Sequence, residues 1–341
     1  MQITLPNYSI TFGALPNISH KGKVLIITNP KIAGLHLQFL LSKIQANEVY
    51  CLSLQDGETY KNMQSIELIL ESAFNHRLDR NSLMIAFGGG VIGDIVGFAS
   101  GIFMRGIDFI QIPTTLLAQV DSSVGGKTGI NNQFGKNLVG LFHQPKAVYI
   151  DTHFLKTLPK REFNAGIAEI IKMAICFDKD FFTSLKTTNW EDSKNLLECI
   201  YKVVSIKAQV VREDETEKGI RAALNYGHTF GHIIEAQSGY GHYLHGEAVS
   251  IGIVMANTLA LRLNLITQQQ YQEILQILKQ NNLPTTYKIK DITTFYQAFF
   301  LDKKSINNKL KFVLPKGIGD FIFKEDTSKD LLMQILKEFQ E

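Results

Sequence analysis

The sequence predicts an α/β fold, with a parallel sheet covered by helices over residues 1–152 and a mostly helical region over 153–341. Short β-rich runs alternate with helical stretches through the first 150 residues, the pattern of βαβ units. A glycine-rich turn follows one of those runs and opens a helix. Beyond residue 152 the apolar spacing becomes helical, with Pro159 marking the boundary.

The strand candidates are Lys23–Thr28, Glu48–Leu52, Ser82–Phe87, Asp108–Pro113 and Ala147–Ile150. Helical stretches such as Asn62–Asn75 lie between them. In the second region helical periods run over 161–185, 194–213, 222–237, 245–263, 268–280 and 329–339. No internal repeat or low-complexity tract interrupts the chain.

A length of 341 residues suits two domains. An apolar share of 45% and a charged share of 20% are those of a soluble globular protein. The net charge of +3, from 35 basic and 32 acidic residues, gives no argument for nucleic acid as a partner. Cys51, Cys176 and Cys199 form no CxxC pair, which favours free thiols in a reducing compartment. No stretch reads as a signal peptide or is long and apolar enough to span a bilayer, so a cytoplasmic enzyme with no membrane partner is expected.

The densest signal lies between His228 and His245. His228 and His232 are four apart and share one face of a helix. His245 follows a turn at Gly239-Tyr240-Gly241 and can fold back toward them. A catalytic zinc takes three protein ligands and keeps one position open. The structural alternative is a set of core or surface histidines. Glu169 and Lys172 lie three apart in an apolar helix, where a buried carboxylate needs a partner. A metal would supply one and complete a Glu/His/His set; a plain buried Glu–Lys pair is the alternative.

Gly88, Gly90 and Gly93 satisfy G-x-G-x-x-G between a strand and a helix. Glycine permits close backbone approach, and a helix N-terminus attracts a pyrophosphate. The acid that would hold a ribose is Asp108 by spacing, or lies in the cluster Asp56-Gly57-Glu58-Thr59-Tyr60-Lys61. Pro113–Gly129 contains Gly126-Lys127-Thr128, but Asp121 stands where a Walker loop needs glycine. With Gly135-Lys136-Asn137 it suits a phosphorylated or polyhydroxylated ligand. Lys207 interrupts the stripe Leu196, Ile200, Val203, Val210 and Val211, so it either reaches an anion or cavity or snorkels to the surface. Arg221 and Asn225 stand one turn apart just before His228.

Taken together, these residues resemble the 3-dehydroquinate synthase family over essentially the whole chain. The motifs are Asp56-Gly57-Glu58 with Lys61, Gly88–Asp94, Pro113–Gly129, Gly135-Lys136-Asn137, Ala168–Lys172, Leu224–His232, His245–Val249 and Asp302-Lys303-Lys304. The resemblance implies a Rossmann-like NAD-binding domain over 1–152 and a helical metal- and substrate-binding domain over 153–341. It implies NAD and a divalent metal, Zn2+ or Co2+. It places the metal ligands on Glu169, His228 and His245, leaving His232 for proton transfer. NAD contacts fall on Asp56, Gly57, Glu58, Thr59, Tyr60 and Lys61, on Gly90, Val91, Ile92, Gly93 and Asp94, on Thr114 and Thr115, and on Phe154, Leu155, Lys156 and Thr157. The nucleotide acid is then Asp56 or Glu58 rather than Asp108. Substrate contacts fall on Asp121, Lys127, Lys136, Asn137, Lys172, Lys207, Arg221 and Asn225, with Lys127 and Lys136 also at the cofactor. Arg105 matches an arginine that reaches a partner subunit's phosphate site in a homodimer. Either Lys303 or Lys304 would face the substrate.

The implied substrate is a sugar phosphate, 3-deoxy-D-arabino-heptulosonate 7-phosphate, on the shikimate route to aromatic amino acids. The implied reaction is transient oxidation at C5 by NAD, loss of phosphate, re-reduction and an intramolecular aldol closure to 3-dehydroquinate. A metal-dependent polyol dehydrogenase would share the architecture but leave five pocket cations without a use. A cyclase making an aminocyclitol precursor from a hexose phosphate lies closer. A non-enzymatic zinc- and nucleotide-binding regulator would not need Lys207 or the paired histidines.

Overall fold

The computed structural model describes residues 1–239, 241–300 and 310–340, so Tyr240 and the Asp302-Lys303-Lys304 motif lie outside the described residues. The chain forms two compact units. One comprises Met1–Phe163 with Trp190–Thr216, and the other Asn164–Asn189 with Glu217–Glu341. The grouping therefore differs from a single division after residue 152, because residues 153–163 and the segment 190–216 fold with the sheet.

The first unit is built on seven strands: β1 (Gln2–Thr4), β2 (Ser9–Phe12), β3 (Lys23–Thr28), β4 (Glu48–Ser53), β5 (Leu83–Gly88), β6 (Phe109–Pro113) and, beyond a separate hairpin, β9 (Ala147–Ile150). Their order is β1-β2-β9-β6-β5-β3-β4. Only β1 with β2 is antiparallel; the other neighbours are parallel. All five strands expected from the sequence lie in this sheet. The hairpin pairs β7 (Lys127–Asn132) with β8 (Gly135–Phe142).

Both faces of the sheet are covered, as parallel sheets require. Side chains alternate along β3. Leu25 and Ile27 pack with Ile66 and Ile69 of α2 (Met63–Asn75) and with Ile92 and Val96 of α3 (Gly90–Ile102). Val24 and Ile26 pack on the other side with Leu40 of α1 (Pro30–Leu41) and with Phe154. Asn29 caps α1 by accepting the Ile32 N–H at 2.8 Å, with Pro30 in the first helical position.

In sequence, α4 (Lys160–Phe177), α5 (Lys179–Leu185) and α6 (Ser193–Glu213) follow. The second unit continues with α7 (His228–Ser238), α8 (His245–Arg262), α9 (Gln268–Gln280), α10 (Ile292–Ala298), the hairpin β10 (Phe312–Pro315) and β11 (Phe321–Lys324), and α11 (Lys329–Glu338). Two expected helices are broken. The period over 161–185 ends at Phe177, and Asp178 caps α5 by accepting the Phe181 N–H at 2.9 Å. The period over 222–237 splits at Gly227, whose φ of +79° no helix contains; a 3₁₀ turn, Ile220–Asn225, precedes it.

Glycine sets how closely the helices of the second unit approach. A Cβ on Gly252 of α8 would lie 2.0 Å from the Gly227 carbonyl oxygen, just before α7. One on Gly246 would lie 1.9 Å from the Ala165 carbonyl of α4. No side chain fits at either contact, so α8 packs backbone to backbone on both neighbours. Gly252→Ala is expected to cost about 1–3 kcal/mol or more through overpacking, measured as a fall in the denaturation midpoint. An unchanged midpoint would mean that the helices separate freely.

Candidate active site

In the second unit, Glu169 projects from α4, His228 and His232 from α7, and His245 opens α8. The start of α8 is fixed by Glu247, whose carboxylate accepts the Leu244 N–H at 2.9 Å. The α7 spacing puts the His228 and His232 rings 5.4 Å apart, and His245 returns to 5.1 Å from His228.

Glu169 is 1% exposed. Its Oε2 lies against the Lys172 ammonium, so the buried Glu–Lys pair does form. Its Oε1 is 3.6 Å from Nε2 of both His228 and His245. That is too long for a hydrogen bond. It is close to the roughly 3.3 Å between neighbouring ligands held at about 2.0–2.1 Å around a tetrahedral ion. Neither Glu169 oxygen accepts a well-formed hydrogen bond from the described residues. Two imidazoles and a carboxylate whose Oε1 has no hydrogen bond among the described residues fit a divalent ion such as zinc. The Nδ1 of His228 faces the Tyr226 carbonyl at 3.1 Å. His232 falls in a second group, with Glu235 and His245.

Lys172 and Arg221 are buried in this unit. Arg221 sits on the 3₁₀ turn rather than on the helix of His228, and Asn225 donates to Glu217 Oε1 at 2.6 Å. Sequence reasoning passed over Glu235. It is buried in the apolar run Ile233-Ile234-Glu235-Ala236, seven residues after His228. A charge on an apolar stripe, the signal that marked Lys207, also marks it.

In the first unit, β5 ends at Gly88 and α3 opens at Gly90 with no side-chain cap. A Cβ on Gly90 would meet Ser122 Oγ at 2.9 Å, and Thr115 packs against Gly89. Thr114 Oγ1 is buried and has no hydrogen-bond partner among the described residues. A helix start without a side-chain cap, a cradle that a Cβ would fill and an orphaned hydroxyl fit a dinucleotide phosphate. Val91 and Ile92 pack in the sheet core. Gly93 abuts Gln111, and Asp94 is 2.6 Å from the Lys61 ammonium. Burial works against the charge on Lys61, but Asp94 and Glu58 outweigh it and hold its pKa above the ordinary lysine range. Lys61 also donates to Asn137 Oδ1.

Asp56 accepts from Asn29 at 2.9 Å, and Glu58 from Asn131 at 2.7 Å. Gly57, at φ +114°, leads into the 3₁₀ turn that carries Thr59 and Tyr60. Asp108 instead pairs with Lys146 at the surface, 3.1 Å away. On the turn Thr152–Thr157, Phe154 and Leu155 are buried and Lys156 is exposed. The Phe154 ring packs edge-on against Phe87, while Thr157 Oγ1 meets His36 at 2.7 Å.

The Pro113–Gly129 segment is no loose surface loop. It winds into a π-helical turn, Ala118–Ser122, and the Gln119 amide donates to the carbonyls of Pro113 and Asp151 at 3.1 and 3.0 Å. Lys207 is buried and reaches Asp121 Oδ1 at 2.6 Å, so the lysine that interrupts the stripe is matched by an anion. Lys127 begins β7, exposed, and Lys136 and Asn137 lie on β8. Arg105 is exposed at φ +71°, between Met104 and Gly106, which also have positive φ. The Lys207–Asp121 contact predicts non-additivity. In a cycle of Lys207→Met and Asp121→Asn, denaturation should show a coupling of about 0.5–3 kcal/mol; strict additivity would mean the pair contributes nothing.

A solved 2-deoxy-scyllo-inosose synthase, complexed with carbaglucose-6-phosphate, NAD+ and Co2+, is 27% identical to this chain. It superposes with a TM-score of 0.86 over 99% of both chains. The chain thus shares the fold of this synthase, and its two sites suit a divalent metal and a dinucleotide. Residues 51–165 match the family described as 3-dehydroquinate synthase N-terminal, and residues 166–305 that described as 3-dehydroquinate synthase C-terminal. The 3-dehydroquinate synthase of Wolinella succinogenes is 60% identical over 333 residues, 98% of this chain and 96% of its own. That of Helicobacter hepaticus is 60% identical over 341 residues, 99% of this chain and 97% of its own. The chain belongs to the 3-dehydroquinate synthase family.

Proposed function

We propose that the chain converts 3-deoxy-D-arabino-heptulosonate 7-phosphate to 3-dehydroquinate and phosphate. The observation that carries this reading is the buried Glu169 carboxylate, turned toward His228 and His245, in a chain of this family. Glu169, His228 and His245 would hold a Zn2+ or Co2+ ion, which would supply Lewis-acid polarisation of the C5 hydroxyl. NAD, when bound, would supply a reversible hydride acceptor, so turnover would involve no net oxidation. Gly90–Asp94, Thr114 and Thr115 cradle its phosphates, and Asp56 or Glu58 holds a ribose hydroxyl. Lys61 keeps Asp94 and Asn137 in place beside that turn. Lys156 and Thr157 contribute on the outer side of theirs; Phe154 and Leu155 contribute backbone, since their side chains serve the core.

Lys172, Arg221 and Asn225 bind substrate oxygens near the metal ligands. Asp121, Lys127, Lys136, Asn137 and Lys207 supply further charges and hydrogen bonds to the sugar phosphate, Lys127 and Lys136 also to the cofactor. An imidazole nitrogen of His232 holds or passes the proton that moves when phosphate leaves. Three cysteines, Cys51, Cys176 and Cys199, with no CxxC spacing suit a cytoplasmic enzyme. With the heptulosonate phosphate as substrate, phosphate release should proceed while net NADH stays near zero, and 3-dehydroquinate should appear by mass spectrometry. Stoichiometric NADH would favour a polyol dehydrogenase, and turnover of a hexose phosphate instead would favour the aminocyclitol route.

The working unit is a homodimer in which Arg105 reaches the partner's phosphate site. A bidentate arginine–phosphate contact contributes about 1.5–3 kcal/mol, so Arg105→Ala should raise KM about tenfold or more. NAD and metal content should stay unchanged. Mixing Arg105→Ala with Lys127→Ala chains should restore part of the activity, since a mixed dimer has one intact site. No recovery, with subunit exchange verified, would confine Arg105 to its own chain.

A further inference from the structure

We infer that Glu235 is a positioning residue for the metal site, accepting the Nδ1–H of His245 so that Nε2 of that ring faces Glu169. The inference deepens the proposed function and rests on its reading of the metal ligands. Glu235 is 5% exposed, and an ionised carboxylate there needs a donor. Its Oε2 is 3.3 Å from His245 Nδ1. An ionised carboxylate can only accept, so the proton of a neutral His245 ring sits on Nδ1 and the lone pair on Nε2. That lone pair is on the nitrogen 3.6 Å from Glu169 Oε1.

His228 repeats the arrangement. Its Nδ1 is 3.1 Å from the Tyr226 carbonyl, another pure acceptor, and its Nε2 is 3.6 Å from the same Glu169 oxygen. Both rings therefore present Nε2 to one point, each tethered through Nδ1. The tethers differ in kind. Tyr226 offers a main-chain oxygen that no substitution removes. Glu235 offers a side chain carrying a full charge, which also raises the basicity of the ring it holds. His245 has the greater need, because its side chain is 31% exposed against 9% for His228, so packing restrains it less.

The test measures zinc affinity of the full chain by competition with a chromophoric chelator, without substrate. It is paired with the visible spectrum of the cobalt form and the melting curve of the metal-free protein. Glu235→Ala should weaken zinc binding by about 10- to 100-fold and shift the cobalt bands. Glu235→Gln keeps an acceptor oxygen and should fall between Glu235→Ala and the wild type. If Glu235→Ala does not fold, the isosteric Glu235→Gln decides alone. Affinity within about twofold of wild type in the folded variants would overturn the inference. So would two zinc ions per chain, which would make Glu235 a ligand of a second ion with His232. Glu169→Ala is the control. If it binds zinc as tightly as the wild type, the ligand set itself is wrong; if it alone loses zinc, only the role of Glu235 fails.

Discussion

The burial of one carboxylate governs the helical unit. Glu169 lies at 1% exposure among Ile167, Ile170 and Ile171, where an unmatched charge would cost several kcal/mol. Lys172 neutralises one oxygen from the same helix. The other is left to two imidazole nitrogens that stand just beyond hydrogen-bond reach. The three side chains can meet only because their helices nearly touch. Gly246 lets α8 lie against α4, and Gly252 lets it lie against the segment leading into α7. The glycines bring the backbones together, and that approach sets Glu169 beside His228 and His245.

The sheet unit handles its charges in the same way. Lys61 and Lys207 are both buried, and each is held by a carboxylate from another segment, Asp94 and Asp121. Each pair ties a loop to a helix. Lys61 links the turn after β4 to α3 and to the β8 strand through Asn137, while Lys207 links α6 to the π-helical turn after β6. Breaking either pair leaves a carboxylate without its counter-charge, which costs more than the pair contributes net. These pairs hold the loops around Gly90 in shape.

Much of this was legible in the sequence because it rests on periodicity and on charges out of place. The five expected strands read as short apolar and β-branched runs; four of them are buried almost throughout, as a parallel sheet covered on both faces requires, and only the edge strand β4 is largely exposed. Lys207 stood out because it interrupts an apolar stripe, and its partner is an anion. The misses have physical causes. β7 and β8 form a half-exposed, glycine- and asparagine-rich hairpin that lacks the apolar alternation of a strand. The stretch 222–237 keeps its helical spacing across Gly227, but that spacing does not reveal a positive φ. α6 joins the sheet unit through a contact between residues 86 apart, Lys207 and Asp121, which local pattern cannot report. Glu235 carries the same signal as Lys207, a charge on an apolar stripe, but in a span where four histidines give the stronger one.

The proposed function requires Glu169, His228 and His245 to converge on one divalent ion. Anomalous diffraction at the cobalt absorption edge, from crystals of the cobalt-loaded chain, tests it directly. A single strong anomalous peak bounded by Glu169 Oε1 and the Nε2 atoms of His228 and His245 is expected. A peak on His232 and Glu235 alone, or none within reach of Glu169, would contradict it.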